Sequence, residues 1–599
     1  MSNFDSRFDT LMRKAGIAVV TGALVFSTLP TGAIAAENKA TGTTSSTSAA
    51  ASSSGSSSDK PGEPPSGGMG GGEQSGQPGE PPDGGTGGPG GGPGGGANTM
   101  TFDYSGTFSG AITANGAENS ASGQAIDAST ADQNAALAQN GGTLTLTGVT
   151  LTKSGDDTNG DNCNFYGLNS ILLAVGSGST AKIQDSSLSA TSEGSNGIFA
   201  TNDAVVWAKK VAISTTAGNS RGLDATYGGT IVADEVTVNT QGNHCAAVAT
   251  DRGGGNVSVT NSTLNTQGSG SPILYSTGDV EVSGVTGTSQ DSQLVGMEGL
   301  NTVLINNSTL TSTNTQASGS DPVADGIIIY QSTSGDAEST TGETATFQAA
   351  DSTLSSAIQS GSMFYLTNTS ADVVLKNTVL DFDSSAADLL LVAGNDSNNW
   401  GSAGSNGATV RFTGISQELA GDIDVDTISS ADVHLTQSTV WTGAATVSEN
   451  AYGSTSETPL TVNIDATSTW VVTGDSTVSA LNVAEGGQVV DVYGNTVSIV
   501  SGGKTVVKGA SQYTVTVTGS YSTSYDISNA GELSQSLIDR SGFDSEYGCE
   551  TAFTMGDSTK AASTTTSASS VSASGDASSS GGSFWDSLVS WFKSLFGMA

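Results

Sequence analysis

The sequence predicts an all-β solenoid, a coil in which the short strands of one turn stack in parallel on those of the next. Between Thr101 and about Thr518, short alternating runs rich in β-branched residues are separated by turns of Gly, Asn, Asp and Ser. One sequence unit also recurs in this region, in the phrases ILLAVG, GIFATN, GLDATY, AAVATD and ILYSTG. Such a repeat is typical of solenoids, because an isolated unit cannot bury its inner face.

The repeat also predicts how the turns are aligned. The units recur every 24–27 residues when they are aligned on Ala174, Ala200, Ala225, Ala249 and Ser276. We expect these side chains to form one inward column, with equivalent strands about 4.8 Å apart. Further units with insertions are expected near Tyr330, Leu366 and Val392. A string of β-sandwiches is the alternative, but sandwich strands show no alignable repeat of this length.

Composition excludes several classes of function. The chain has 599 residues, and its 18 basic and 57 acidic side chains give a formal net charge of -39. A chain this acidic repels phosphate backbones, so nucleic-acid binding is not expected. Its 3 Cys are too few for a disulfide scaffold, and its 2 His cannot by themselves form a zinc site.

Residues 1–35 have the pattern of a secretory signal peptide. A short basic start precedes an apolar stretch from Ala15 to Phe26, and small residues lead to a cleavage site before Ala36. The stretch is shorter than the roughly 20 residues of a membrane span, and a buried helix is the alternative. Residues 36–99 are rich in Ser, Gly and Pro, which predicts a disordered spacer.

The predicted solenoid, residues 100–518, contains the phrases YGLNSILLA, GSNGIFATN, SRGLDATYGG, HCAAVATDRGGG and SPILYSTG. In these phrases the chain resembles secreted bacterial right-handed parallel β-helix proteins, the pectin-lyase-like and adhesin-like surface proteins. The resemblance covers roughly residues 100–510 and implies the right hand of the coil. It implies no settled activity, because the fold hosts lyases, hydrolases and passive adhesins alike.

A hydrolase of this family is expected to place clustered Asp residues beside a Gly-His-Gly turn, and no such turn occurs here. Basic residues for a lyase are also scarce, so catalysis is less expected than binding. A ligand site is nevertheless predicted at Arg221, Asp224, Tyr227, His244, Asp251 and Arg252. In the predicted alignment Tyr227 lies beside Asp251. The alternative is turn chemistry, in which these side chains bond to the backbone at corners of the coil.

Calcium is the cofactor that the sequence suggests. Asp157, Asn159 and Asp161 alternate as oxygen ligands do in calcium loops, although no Glu follows at the twelfth position. A second set of carboxylates alternates along a presumed strand at Asp422, Asp424 and Asp426. Their spacing of about 7 Å is wide for a shared ion, and a solvated acidic face is the alternative.

The C-terminal region is expected to contain a variable segment and a Ser/Thr-rich spacer, residues 519–582, and then an amphipathic helix, residues 583–599. The apolar stripe of this helix is expected to contact a membrane through Trp585, Leu588, Trp591, Phe592 and Leu595. Docking on a partner protein or on the open end of the coil is the alternative.

These features predict a secreted or surface-attached, adhesin-like protein. It is expected to contact glycans or other cell-surface components through the polar flank of the solenoid. A polysaccharide lyase or hydrolase of the same fold is one alternative, and a passive structural stalk is another.

We expect residues 583–599, fused to a soluble carrier, to float with liposomes in a density gradient, because Trp side chains and an apolar stripe favour the membrane interface. Replacing Trp591 and Leu595 by Ser provides the matched control and is expected to abolish flotation. A parent fusion that stays at the bottom of the gradient contradicts the membrane hypothesis.

Overall fold

A computed structural model describes residues 100–333, 337, 344–397, 400–534 and 537–557. These residues form the predicted all-β fold, a parallel β-helix in which each turn contributes strands to three faces. The predicted signal peptide, the spacer at 36–99, the Ser/Thr-rich spacer from 558 onward and the amphipathic helix at 583–599 lie outside the described residues.

The first face is a sheet of 13 parallel strands. Its strands are β1 (Ser109–Asn115), β4 (Gln133–Gln139), β7 (Leu172–Val175), β9 (Ile198–Thr201), β11 (Leu223–Thr226), β14 (Val248–Thr250), β17 (Leu274–Ser276), β20 (Val295–Glu298), β23 (Asp325–Tyr330), β26 (Ser362–Thr367), β29 (Asp388–Val392), β32 (Ile423–Asp426) and β35 (Ala445–Ser448).

The second face contains the longest strands and ends in a hairpin. Its strands are β2 (Glu118–Ser122), β5 (Thr143–Thr147), β8 (Thr180–Ala190), β10 (Val205–Thr215), β12 (Thr230–Asp234), β15 (Asn256–Thr260), β18 (Asp279–Ser283), β21 (Thr302–Asn306), β24 (Ala345–Ala350), β27 (Ser370–Lys376), β30 (Thr409–Ile415), β33 (Ser430–Thr436), β36 (Leu460–Ile464), β38 (Ser476–Val483), β40 (Ser498–Ser501), β41 (Lys504–Val507) and β42 (Thr514–Ser522).

The third face joins the second because β8 and β10 run through the corner between them. Its first strands are β3 (Ala125–Ala128), β6 (Thr150–Lys153), β13 (Thr237–Thr240), β16 (Thr263–Thr266), β19 (Thr286–Ser289), β22 (Thr309–Ser312), β25 (Thr353–Ser356) and β28 (Val379–Asp381). A four-stranded sheet next to β28 continues it, with β31 (Glu418–Ala420), β34 (Val440–Gly443), β37 (Thr469–Val472) and β39 (Gln488–Asp491). The helices are α1 (Gly160–Tyr166), α2 (Ser541–Tyr547) and a short 3-10 helix (Ile527–Asn529).

The inward column of the first face confirms the start of the predicted repeat. Ala174 pairs with Ala200, and Ala200 pairs with Ala225. All three side chains are fully buried in one hydrophobic core, which runs from Ala114 to Val517. Like residues therefore stack on like residues along the coil, and each turn buries the inner side of its neighbours.

The predicted alignment is wrong by one residue at Ala249. Ala249 pairs with Tyr275, whereas Ser276 pairs with the core residue Met297 and continues the predicted column. Ala225 pairs with Thr250, whereas Ala249 pairs with Asp224. The alignment matched alanines, but the apolar core position at Val248 sets the register. A shift of one residue moves a strand side chain to the opposite face of the sheet, so Ala249 lies outside the inward column.

A left-handed residue turns the corner between the second and third faces. Its φ is positive in successive turns, at Asp185, Lys210, Glu235, Asn261, Gly284, Asn307, Asp351, Asn377 and Ser416. The N–H of Asn261 donates to the carbonyl of Ser283 in the next turn (3.0 Å). Because Gly, Asn and Asp tolerate this conformation best, most of these corners carry one of the three.

After β42 the chain returns along the outside of the second face. We call residues 523–534 and 537–557 the strap. Its contacts move steadily back through the coil: Tyr525 with His434 (2.8 Å), Gly531 with Thr413 (2.9 Å), Ser534 with Gln348 (2.6 Å), Ile538 with Glu281 (3.1 Å) and Glu546 with Lys182 (2.8 Å). The strap then turns, and Met555 packs in a small core with Leu304 and Ala350. The first part of the segment predicted at 519–582 is thus packed on the solenoid.

Arg540 anchors the strap. Its side chain is 3% exposed. The guanidinium donates to the carbonyls of Ser258 and Ala233 (both 3.0 Å), to the hydroxyl of Thr260 (2.8 Å) and, within the strap, to Thr551 (2.8 Å). Burial lowers the pKa of Arg540 from its usual value. Because buried N–H groups need acceptors, the guanidinium must stay next to the acceptors that β12 and β15 supply. The strap is therefore held in one position along the second face.

Replacing Arg540 by Ala is expected to weaken strap docking by about 3 kcal/mol, because several charge-assisted hydrogen bonds are lost. That loss raises the undocked population roughly 100-fold, which limited proteolysis with mass spectrometry detects as faster cleavage within the strap. Arg411→Ala is the comparison: this guanidinium is 43% exposed, pairs with Asp372 and contacts the strap at the edge of hydrogen-bond distance, 3.5 Å from the carbonyl of Asn529. Its loss is therefore expected to cost below about 1 kcal/mol. Equal cleavage rates in the two variants would show that Arg540 is not the anchor.

Candidate ligand-binding cleft

The structure brings three of the six predicted ligand residues together in a buried ion cluster. The guanidinium of Arg221 donates to Asp251 Oδ2 (2.9 Å), and its Nε lies 3.7 Å from Asp224 Oδ2. The three residues are 2%, 4% and 0% exposed. Asn164 of α1 accepts another hydrogen bond from Arg221 (2.8 Å) and closes the cluster from outside. This cluster therefore ties α1 to the first face.

The electrostatics of the cluster are set by burial. Burial raises the pKa of Asp224 well above its usual range, although Arg221 opposes the shift. The pKa of Arg221 is also raised, since Asp224 and Asp251 outweigh its own burial. A permanently charged guanidinium thus lies between two carboxyl groups, an arrangement that serves packing and leaves little charge for a ligand.

Two other predicted residues stack on α1. Tyr227 lies parallel to Tyr166, with ring centroids 5.7 Å apart, and the Arg252 guanidinium lies 3.6 Å from the centroid of the Phe165 ring. The backbone N–H of Tyr227 donates to the carbonyl of Arg252 (3.2 Å). The expected juxtaposition of Tyr227 with Asp251 is therefore wrong, again because the register is displaced by one residue.

The sixth predicted residue, His244, lies at a different feature, which we call the aromatic cleft. It is lined by His244, Tyr275, Gln293, Asp321, Tyr330 and Trp400, with Arg221 at one end. Burial and the nearby Arg221 lower the pKa of His244 to about 4, so its ring is neutral near pH 7. His244 can therefore offer a hydrogen bond in the cleft but no charge.

The aromatic cleft lies outside the first face, over β17, β20 and β23. Two insertions in the repeat form its walls: residues 313–324 contribute Asp321, and residues 400–408 contribute Trp400. Its cavity volume is about 50 Å³. Since one water needs roughly 10–15 Å³ on this scale, the cleft has room for a few waters or one substituent of a larger ligand.

Two tyrosine rings of the cleft are held by one buried carboxylate, Glu298. The rings of Tyr330 and Trp400 meet edge to face, with centroids 3.7 Å apart. Glu298 accepts hydrogen bonds from the hydroxyls of Tyr275 (3.0 Å), Tyr330 (3.2 Å) and Ser332. The ring positions are thus fixed by hydrogen bonds as well as by packing, which favours a preformed site.

A pair of acidic side chains lies beside these rings. Gln293 donates to Asp321 Oδ2 (2.9 Å), and burial raises the pKa of Asp321 to about 8. Asp325 is 2% exposed, and neither of its carboxyl oxygens has a hydrogen-bond partner among the described residues. Burial, together with Asp321, raises the pKa of Asp325 well above its usual range. Trp400 Nε1 likewise has no hydrogen-bond acceptor among the described residues.

Two residues of the first predicted calcium site are hydrogen-bonded to α1. Asn159 caps α1 by accepting from the N–H of Asn162 (3.1 Å), and Asp157 accepts from the Cys163 thiol (3.5 Å). Asp161 is exposed in the first turn of α1. Within the described ranges, no three or more His, Cys, Asp or Glu side chains are grouped so as to hold a metal ion.

The second predicted calcium set caps backbone groups. Asp422 accepts from the N–H of Ala444 (2.7 Å), and Asp426 accepts from the N–H of Gly394 (3.0 Å). Asp424 lies between them on β32, where burial raises its pKa. The alternation predicted from the sequence is present, but two of the three carboxylates are already committed to corners of the coil.

Sequence reasoning missed most of the cleft. The missed lining residues are Tyr275, Gln293, Asp321, Tyr330 and Trp400. One signal could have found them: the turns near Tyr330 and Val392 carry insertions, and insertions in a solenoid map to loops on one side, which is often the binding side.

No protein-family model matches this chain, and no curated protein matches it either. Neither α1 nor α2, nor any other helix in the described part of the chain, has the length and hydropathy of a membrane span. The fold and the geometry of the cleft therefore supply the argument about function.

Replacing Arg221 by Met is expected to lower the free energy of unfolding by about 3–5 kcal/mol, because it leaves two buried carboxyl groups without their cation. Denaturant unfolding followed by circular dichroism measures the loss. Arg252→Ala removes the cation–π contact with Phe165 and leaves the buried cluster intact, so it is expected to cost about 1 kcal/mol.

A triple variant separates charge from packing at the same site. Adding Asp224→Asn and Asp251→Asn to Arg221→Met removes the unpaired charges and is expected to restore much of the lost stability. If Arg221→Met unfolds at the same denaturant concentration as the natural chain, the cluster does not fasten α1 and the ligand hypothesis for Arg221 regains weight.

Proposed function

We propose that this chain is a secreted or surface-attached, adhesin-like protein of the pectin-lyase-like type that binds a glycan at the aromatic cleft. The observation that carries the proposal is the grouping of Tyr275, Tyr330 and Trp400 with acidic side chains where two insertions rise over a regular sheet. Sugars present apolar C–H faces and many hydroxyls. Aromatic rings and hydrogen-bonding side chains in a preformed cleft complement both.

Other features of the chain agree with this proposal. The signal-peptide pattern at residues 1–35 supports secretion, and the stripe at 583–599 supports contact with a membrane or envelope. A long solenoid held between spacers suits a protein that presents a binding surface away from its point of attachment. The resemblance to bacterial surface proteins points in the same direction.

One observation favours a second candidate, a polysaccharide hydrolase. Burial raises the pKa of Asp321 to about 8, so this carboxyl group carries its proton near neutral pH, as a general acid must. Asp325, a buried carboxyl group near Asp321 that does not line the cavity, is the other half of a carboxyl pair, and carboxyl pairs carry out glycoside hydrolysis. Binding without cleavage is the main proposal, because the Gly-His-Gly turn that related hydrolases use is missing from the sequence.

The test is a screen of the purified chain on immobilised neutral, acidic and amino-sugar polysaccharides. We expect retention on at least one of them and at least a tenfold weaker retention for Trp400→Ala, because this change removes the principal aromatic wall. Trp470→Phe is the matched control: Trp470 lies in the core, stacked on Trp441 with centroids 4.7 Å apart, and its change should leave binding unaltered.

The same samples are assayed for reducing ends and for unsaturated products. New reducing ends that disappear in Asp321→Asn favour the hydrolase, whereas unsaturated products favour a lyase. A chain that is retained on no polysaccharide and releases no product leaves the passive stalk as the better description.

A further inference from the structure

The third face presents a regular surface to solvent. Two columns of side chains point outward along successive turns from β6 to β25, and the strand pairing along them has no register shift. The first column is Thr150, Ser187, Ala212, Thr237, Thr263, Thr286, Thr309 and Thr353. The second column is Thr152, Ser189, Ser214, Asn239, Asn265, Thr288, Thr311 and Ser355. The first column is exposed except at Thr353, and the second is mostly half-buried.

These two columns carry no charge, although the chain has a formal net charge of -39. Carboxylates begin one turn beyond each end of the second column, where Asp127 accepts a hydrogen bond from Thr152 and Asp381 accepts one from Ser355 (3.0 Å). Exposed hydroxyl groups can donate and accept hydrogen bonds. The third face therefore suits an uncharged partner with hydroxyl groups of its own, whereas a polyanion would be repelled by the rest of the chain.

A trough lies beside the first column, at the corner between the second and third faces. Its volume is about 470 Å³, which is within the range of about 300–1,000 Å³ for small-molecule sites. Its two sides are formed by part of the column and by residues of the corner, namely Ser187, Ala212, Thr237, Asp185, Lys210 and Glu235. Ala212 has the smallest side chain of the column, so the surface is lowest beside it. Lys210 Nζ lies 3.8 Å from Glu235 Oε2, so charges on the corner side partly cancel.

We propose that the third face binds an uncharged, extended polysaccharide of the β-1,4-linked hexose class, which lies in the trough and continues along the first column. Successive sugars of such a chain advance by nearly the distance between successive turns of the coil, about 4.8 Å. Each turn can therefore offer a polar side chain to one sugar. These hydrogen bonds are individually weak, and their number supplies the affinity. The surface is separate from the aromatic cleft, so this inference goes beyond the proposed function.

The size of the surface favours a polysaccharide over a second copy of the chain. The columns extend for about 34 Å, and four residues per strand give a width of about 13 Å. The resulting area of roughly 450 Å² is about half of the roughly 800 Å² per partner that a stable protein interface buries. A single glycan chain, in contrast, needs only a narrow strip of this length.

The first experiment uses the natural chain and isothermal titration calorimetry. The β-1,4-linked hexamer of glucose is expected to bind at least roughly tenfold more tightly than the trimer, because it contacts more turns. The hexamer of galacturonic acid is expected not to bind, because its carboxylates are repelled by the acidic chain. Equal affinities of the glucose trimer and hexamer, or no binding of either, overturn this inference and leave the proposed function to its own screen.

The second experiment locates the bound hexamer. Ala212→Arg fills the trough from an exposed position and is expected to weaken hexamer binding at least roughly tenfold. Ala420→Arg is the matched control, because Ala420 is exposed on β31, beyond the two columns. Its affinity should be unchanged, as should that of Trp400→Ala, which tests the proposed function.

Two outcomes of these measurements contradict the inference. Loss of hexamer binding in Trp400→Ala but not in Ala212→Arg assigns the hexamer to the aromatic cleft, which leaves the proposed function standing. Sedimentation velocity detects the other: a dimer of the natural chain that Ala212→Arg dissociates assigns the third face to a second copy.

Discussion

The structure depends on the register with which each turn stacks on the one before it. A strand side chain points into the core or out of it according to a single-residue offset, so an error of one residue exchanges the two sides. The pairing of Asp224 with Ala249 illustrates this: it places a carboxyl group outside the coil, where Arg221 can reach it. The same constraint places Tyr275 and Ile328 on one outer face, over which the cleft is formed.

The outer side of the sheets is the part that other segments cover. Helix α1 covers the early turns of the first face, where Thr226 donates to the carbonyl of Phe165 (2.8 Å). The strap covers the second face, with Arg540 inserted against β12 and β15. Between the loops at 313–324 and 400–408 the cover is incomplete, and the aromatic cleft opens there. The aromatic cleft is thus an uncovered part of the outer sheet surface, and it is not a cavity inside the hydrophobic core.

This division explains what the sequence could and could not predict. The inward positions repeat, and repetition made the fold and the column through Ala174, Ala200 and Ala225 predictable. The segments that cover the outer side of the sheets, α1 and the strap, do not repeat in the sequence. The contact of Lys182 with Glu546 joins residues far apart in the chain, and no local pattern indicates that Arg540 is an anchor. Asp321 and Trp400 lie in insertions, where the period that guided the alignment is interrupted.

The burial of charged residues affects the surface charge that the protein presents to a ligand. Arg221, Arg540 and Lys153 are each 2% or 3% exposed, so these three positive charges are used inside the protein. Burial lowers the pKa of Lys153 to about 8, even though nearby acidic residues oppose the shift. Nine acidic side chains are buried as well: Asp224, Asp234, Asp251, Glu281, Glu298, Asp325, Asp426, Asp465 and Asp491. The surface is therefore somewhat less acidic than the formal net charge of -39 indicates, but it is still strongly negative. Such a surface attracts cationic ligands and repels uronate polymers over roughly a Debye length.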